Sequence, residues 1–346
     1  LIKTHEAISR QVKGLDFEAL LEGFNPNQFA LFDHTKAVID GQLIDKPKTF
    51  LANSVADYEG HLVATFFYDF LPQSLDLATG LIVHEMFHAY QFGQKDYTTL
   101  LEGHSEQAGT FYDYKSMNLT LKYNEVMWLI KAYEKNDRQA YGHFLAIRQQ
   151  RKDQYPQGVL YEEATELIEG AATYVELQTI RQLNQDLFCK QVKETLDALK
   201  SYDAYFAIRE LSYQVGALIM LTLDRFKIDL KPAIEGEVFL SDLYDYEAQD
   251  LEIESYTDLE RLVVEKEKAK NLALEDFFNE AHHELSFDGL LGYNPMGLLR
   301  SGNRVLVKFL VMIQVGGEEV SVNGTFCLIY DDQGRCERIY KAGPKA

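Results

Sequence analysis

Cysteine is scarce: Cys189, Cys327 and Cys336 are the whole supply in 346 residues. Three thiols cannot build the disulfide scaffold that holds small secreted domains together. Cys327 and Cys336 flank a predicted turn at Asp331–Gly334. Pairing across that turn sets Cys327 opposite position 339 or 340. Cys336 then sits about 10 Å along the partner strand at ~3.4 Å per residue, beyond disulfide reach. Unpaired thiols suit a reducing compartment. A chain that starts at Leu1 rather than Met leaves room for a removed leader, so these two signs leave the compartment open.

Long apolar runs are missing too. The longest candidate, Val305 to Val315, is interrupted by Lys308, and nothing approaches the ~18 residues of a membrane-spanning helix. Positive charge is in deficit, with 34 Lys and Arg against 54 Asp and Glu and a net charge of −20. Such a field repels phosphate backbones and anionic membrane surfaces, which excludes non-specific nucleic-acid binding and mildly favours neutral or cationic substrates. Internal repeats and low-complexity segments are absent. What remains, 46% hydrophobic and 25% charged, is ordinary globular composition and excludes a disordered chain, a fibre or a coiled coil. The length suits about two domains.

The patterning predicts an α+β fold that is mostly helical. An amphipathic helix runs from Leu1 to about Glu22, with apolar positions at Ile8, Val12, Leu15, Leu20 and Leu21, and Asn25-Pro26 reads as a turn. Short apolar runs follow at Phe29–Phe32, Ala37–Ile39, Thr49–Ala52 and Leu62–Phe70; the last is rich in β-branched and aromatic residues and reads as a strand. Pro72 stops it, and a helix continues to about Phe92. From Leu100 to Lys227 the pattern is almost all helix, with segments predicted at 102–117, 123–136, 138–152, 161–184, 185–200 and 204–226. Pro232 and Gly236 mark a break. A polar helix from Thr257 to about His282 carries Glu and Lys in alternation, the signature of a solvated face. Val305–Gln314, Glu319–Tyr330 and Cys336–Ala342 then predict a small antiparallel sheet within a β-rich end that begins near Ser286. The expected division is therefore 1–235, a small sheet and helical bundle, and 236–346, helical and then β-rich.

One segment stands apart: Leu81-Ile-Val-His84-Glu85-Met-Phe-His88-Ala-Tyr90. It is H-E-x-x-H inside a predicted helix. Residues four apart share a helix face at ~5–6 Å between Cβ atoms, so both imidazoles can converge on one ion. Glu85, one step around the helix, can take the proton of a water activated by that ion. The neighbours Leu81, Ile82, Val83, Met86, Phe87 and Ala89 are uncharged, so the helix is expected to be buried. Two plain core histidines beside a glutamate would be costly in such surroundings without partners. A hydrolytic zinc site needs a third protein ligand. The extended pattern H-E-x-x-H-x-x-G-x-x-H fails, because Gln91 and Gln94 occupy the Gly and His positions. A later glutamate is the remaining common solution, with Glu102, Glu106 and Glu169 as candidates; His104 lies among them.

Leu167-Ile-Glu169-Gly170-Ala-Ala172-Thr-Tyr174-Val-Glu176 resembles the E-G-x-A-x-Y-x-E segment of gluzincin metallopeptidases, the thermolysin-like clan. The resemblance spans roughly residues 62–225, about half of the chain. It implies a zincin-like catalytic domain with one zinc ion held by His84, His88 and Glu169, Glu85 as general base, and hydrolysis of peptide or protein substrates. Gly170 and Ala172 would leave room for the H-E-x-x-H helix, and Glu176 lies two turns on from the ligand position. Many members carry the glutamate soon after the second histidine; here it lies 81 residues beyond His88. A second likeness lies in Tyr205-Phe-Ala-Ile-Arg209-Glu-Leu-Ser-Tyr213-Gln-Val-Gly216. Gluzincins often carry a tyrosine on such a helix, which implies Tyr213 as oxyanion donor, with Arg209 orienting it or binding a substrate carboxylate. Members of the clan align peptides along an edge strand, and 61–70 is the expected one. Two other functions fit the same motif: a non-catalytic metal-stabilised binding module, and a zinc hydrolase of non-peptide amides or esters.

Overall fold

The computed structural model describes residues 1–93, 109–246, 253–294 and 297–344. It is mixed α+β with helix predominating. Its described residues fall into two compact units: 1–93, 123–150 and 162–246 in the first, 109–122, 151–161, 253–294 and 297–344 in the second. That grouping differs from a single cut near 235, since 236–246 stay with the first unit while two earlier segments join the second. The composition shift marks where strands begin, but it cannot show that Phe111, from far upstream, packs against the core of those strands.

In the first unit α1 (Ile2–Val12) is shorter than its apolar pattern suggests, the chain leaving the helix at Lys13-Gly14. A five-stranded sheet follows, built from β1 (Phe29–Phe32), β2 (Lys36–Ile39), β3 (Gln42–Asp45), β4 (Ser54–Tyr58) and β5 (His61–Phe67) in the order β3-β2-β1-β5-β4. Only β1 and β5 run parallel. Phe32, Ile39, Phe50 and Val63 fill one core of this sheet. The expectation that 61–70 forms an edge is overturned. β5 pairs with β1 on one side and with β4 on the other, so β4 and β3 are the edges. Apolar pattern reports which faces of a strand are covered, not which strand has a free edge.

Helix α2 (Leu75–Gln91) lies against β5 and β4. It is buried on nearly every side, including Ile82, Val83, Met86, Phe87 and Ala89, as an apolar helix without a polar face should be. Then come α3 (Ser116–Lys135), α4 (Arg138–Gln154), α5 (Pro156–Thr165), a π-helical turn (Glu166–Gly170), α6 (Ala171–Leu183), α7 (Gln185–Leu199) and α8 (Ile208–Phe226). The pattern over 161–184 predicts one helix; the structure inserts the wider π turn within it, just where Glu169 sits.

Glycines set the close crossings. At Gly80 a Cβ would lie 3.0 Å from Ile180 and 3.2 Å from Glu176, so α6 crosses α2 there at short range. At Gly170 a Cβ would lie 2.6 Å from Gly216 Cα, and at Gly216 one would lie 2.5 Å from the Glu166 carbonyl oxygen. Gly170 thus makes room for α8 and not, as expected from sequence, for the H-E-x-x-H helix, whose own Gly80 fills that role.

The second unit holds α9 (Thr257–Asn279) and strands β6 (His282–Glu284), β7 (Gly289–Tyr293), β8 (Leu299–Ser301), β9 (Arg304–Val315), β10 (Glu318–Tyr330) and β11 (Cys336–Ala342). The sheet is antiparallel in the order β6-β11-β10-β9-β7, with β8 also on β9. Val305, Val307, Ile313, Phe326, Leu328 and Ile339 form one core. Leu274 and Phe277 of α9 pack with Leu306 and Cys327 in another, leaving most of that helix polar and solvated as expected. Cys327 faces Tyr340 and Cys336 faces Tyr330, and all three cysteines are free. No described helix is long and apolar enough to cross a membrane.

Candidate metal centre

His84 and His88 lie one turn apart on the buried stretch of α2, and Glu169 reaches them from the π turn. His84 Nε2 and His88 Nε2 are 3.1 Å apart, and Glu169 Oε2 is 3.6 Å from the first and 3.2 Å from the second. A tetrahedral ion with bonds of ~2.0–2.1 Å holds its ligand atoms roughly 3.3 Å from one another. The triangle fits such an ion. Among the described residues this is the one group of three His, Cys, Asp or Glu side chains whose donor atoms all lie within 4.8 Å of each other.

The hydrogen bonds behind the triangle fix its chemistry. Glu176 Oε2 lies 3.2 Å from His84 Nδ1, and an ionised carboxylate only accepts, so Nδ1 donates and the Nε2 lone pair faces inward. Gln91 Nε2 donates to the carbonyls of Leu167 and Ile168 at 3.1 and 3.2 Å, which turns Oε1 toward His88 Nδ1 at 2.9 Å. His88 therefore also presents an Nε2 lone pair. Two lone pairs and a carboxylate oxygen meeting in a buried space call for a cation between them.

The electrostatics agree. Burial alone would lower the His84 pKa, but hydrogen bonds to Glu169 and Glu176 outweigh it and push the imidazole up to about 10: where no ion takes the Nε2 lone pair, a proton does, answering the same demand for positive charge. Burial would raise Glu169, yet the two histidines hold its carboxyl well below the usual range. For Glu85 burial wins: it pushes the carboxyl up against the opposing charges of His84 and His88, and Glu169 and Glu176 add to the rise. A carboxylate raised in this way is a stronger proton acceptor than an ordinary one.

The other residues singled out from sequence fall around Glu169. Arg209 Nη2 donates to Glu169 Oε1 at 2.9 Å, leaving Oε2 to face the histidines. The guanidinium also lies 5.7 Å from the Tyr213 ring centroid. Burial raises the Tyr213 hydroxyl above its ordinary pKa, and the Glu169 charge near it adds to that rise. Arg209 thus positions a carboxylate, where sequence suggested Tyr213 or a substrate as its partner. Glu102, His104 and Glu106 lie outside the described residues, as does the first part of the helix predicted over 102–117; its described part is interrupted, with 112–115 non-helical before α3 begins at Ser116. Gln91 is a partner that sequence reasoning passed over. Its position one turn after His88 on the same helix face is the signal that marks it. No family model, curated protein or solved structure gave a significant match to this chain, so what can be said of its chemistry rests on the geometry around His84, His88 and Glu169.

Proposed function

We propose that the protein is a zinc-dependent metallopeptidase of gluzincin type. The observation that carries this reading is the convergence of His84 Nε2, His88 Nε2 and Glu169 Oε2 beside a Glu85 that takes no part in the triangle. A structural metal site has no need of such a carboxylate. His84, His88 and Glu169 would hold the ion, with Glu176, Gln91 and Arg209 fixing their orientation. Zinc bound there supplies a Lewis acid that activates water and polarises a carbonyl at neutral pH. Glu85 accepts the proton of the attacking water and returns it to the departing amine. Tyr213 offers the hydroxyl for the developing oxyanion. The edge β4, next to α2, is where an extended peptide would add as a further strand.

Elemental analysis of the purified protein, with cleavage of a mixed peptide library, tests the whole reading. Zinc with turnover supports it. Zinc without turnover favours the non-catalytic binding module, turnover of esters or non-peptide amides alone favours the wider hydrolase, and absence of any transition metal removes the reading. Glu169→Ala should weaken zinc affinity by more than the ~10–100-fold typical of residues that only orient a ligand. Titration against a competing chelator measures this, and an unchanged affinity would return the third ligand to Glu102 or Glu106. Tyr213→Phe should lower kcat by about 10²-fold with zinc retained, the scale for losing one oxyanion donor. A wild-type rate in that variant would leave Tyr213 as a support of Glu169.

A further inference from the structure

A cavity of about 450 Å³ lies within the first unit, between α7 and the end of α8, with Tyr133 of α3 and Arg181 of α6 in its wall. That volume is inside the ~300–1,000 Å³ range of small-molecule sites. None of its lining residues belongs to the metal centre. Phe188, Val192 and Leu196 recur every four residues along α7 and give the cavity an apolar strip. From 188 to 196 the helix rises ~12 Å, at about 1.5 Å per residue.

Charge around this strip runs against the rest of the chain. The net charge is −20, yet Arg181, Lys193, Arg225 and Lys227 line the cavity against Asp224 alone. Among the described residues none of the four cations forms an ion pair, whereas Lys190, on the same helix as Lys193, stands 3.8 Å from Glu194. The Asp224 side chain likewise has neither ion pair nor hydrogen bond among the described residues. The Arg225 guanidinium is held in place: its carbon lies 3.8 Å from the Tyr133 ring centroid, and Nη1 donates to the Tyr133 carbonyl at 2.7 Å. Its other N–H groups stay open. The Arg181 guanidinium lies 5.5 Å from the Phe188 centroid. Burial raises the Tyr133 hydroxyl pKa, and the charges of Arg225 and Arg181 both oppose the rise, so the two guanidinium groups converge on one phenol. Lys227 ends α8 at φ 61°, in the left-handed region that favours glycine. Lysine there supplies a charge where backbone geometry alone would select none.

We propose that this cavity binds a short acidic peptide with a free amino terminus. Four cations and one carboxylate, none of them paired, match a ligand of the inverse pattern: several carboxylates and one ammonium. A plain polyanion would satisfy the cations but set negative charge against Asp224. The guanidinium forks of Arg181 and Arg225 suit carboxylates, and Asp224 suits the α-ammonium. The apolar strip takes the side-chain stems, and its ~12 Å is the length of about three extended residues at ~3.4 Å each. Three glutamates carry four carboxylates, counting the terminal one, and a single ammonium, which is the cavity's own set of charges inverted. The site does not depend on the function of the metal centre.

Triglutamate is the probe, titrated calorimetrically into the full-length protein at low ionic strength, with N-acetyl-triglutamate, citrate and trilysine as comparisons. Triglutamate is expected to bind saturably and more tightly than any of them. Arg181→Gln and Arg225→Gln should each weaken it about tenfold or more, the scale of one charge-assisted hydrogen bond. Asp224→Asn should weaken triglutamate by a similar factor and leave the acetylated peptide no weaker than before, because that peptide has no ammonium to lose a partner. Circular dichroism confirms folding. Arg181 makes no side-chain hydrogen bond among the described residues, so its variant carries the comparison if Arg225→Gln fails to fold. Absence of saturable binding, or an affinity unchanged in the folded arginine variants, would overturn the site. The acetylated peptide or citrate binding as tightly would overturn the free amino terminus, and trilysine binding as tightly would overturn the acidic class.

Discussion

Glu85→Gln should reduce peptide hydrolysis by about 10²–10⁴-fold, the usual worth of a positioned general base, and leave zinc content and thermal stability close to wild type. The amide keeps the size and shape of the carboxylate. It cannot accept the proton of an attacking water. Glu85 is not one of the three converging donors, so an ion held by them would have no reason to leave. Hydrolysis and zinc content measured on the same preparation decide the matter. An active variant would move the base to another group and refute the assigned mechanism; loss of zinc would show that Glu85 supports the ion and not the chemistry.

The second large effect is on stability. Arg148 has a side chain 1% exposed, and its guanidinium spans two carboxylates: Glu125 at 2.6 and 3.0 Å and Glu166 at 2.6 and 2.8 Å, with Glu163 at 3.7 Å. Ser241 Oγ donates to Glu163 at 2.5 Å. Arg148→Met removes the cation and strands buried negative charge, which costs about 3–5 kcal/mol. Against a typical total of about 5–15 kcal/mol, that is a large share. Urea denaturation of both proteins should show it as a lower midpoint at similar slope. A loss below about 1 kcal/mol would mean that water reaches the cluster or that its carboxylates are protonated. The same residue bears on the candidate metal centre, because Glu166 opens the π turn that carries Glu169. Arg148 grips the Glu166 side chain while Gly216 presses on its carbonyl, and π turns within α-helices are where functional side chains are often re-aimed.

Sequence by itself determined the local half of this centre. The spacing of His84, Glu85 and His88 on a helix without charged neighbours places two imidazoles on one buried face, because helical periodicity is a property of the segment alone. The charge deficit, the three thiols and the last three strands were legible for the same reason: each depends on composition or on neighbours a few residues away. Other features needed the folded chain. The resemblance at 169–176 named Glu169, but bringing it beside His84 and His88 is the work of the tertiary structure. It did so through Gly80 and the Gly170–Gly216 pair, whose role is to admit a distant backbone and which have no periodic signature. It also turned Gln91 toward His88, gave Arg209 to Glu169, placed β5 inside its sheet, and drew 109–122 and 151–161 into the second unit. A hydrophobic pattern states which face of an element must be covered. Which element covers it is decided by packing between segments far apart in the chain, and that information is absent from any single stretch of sequence.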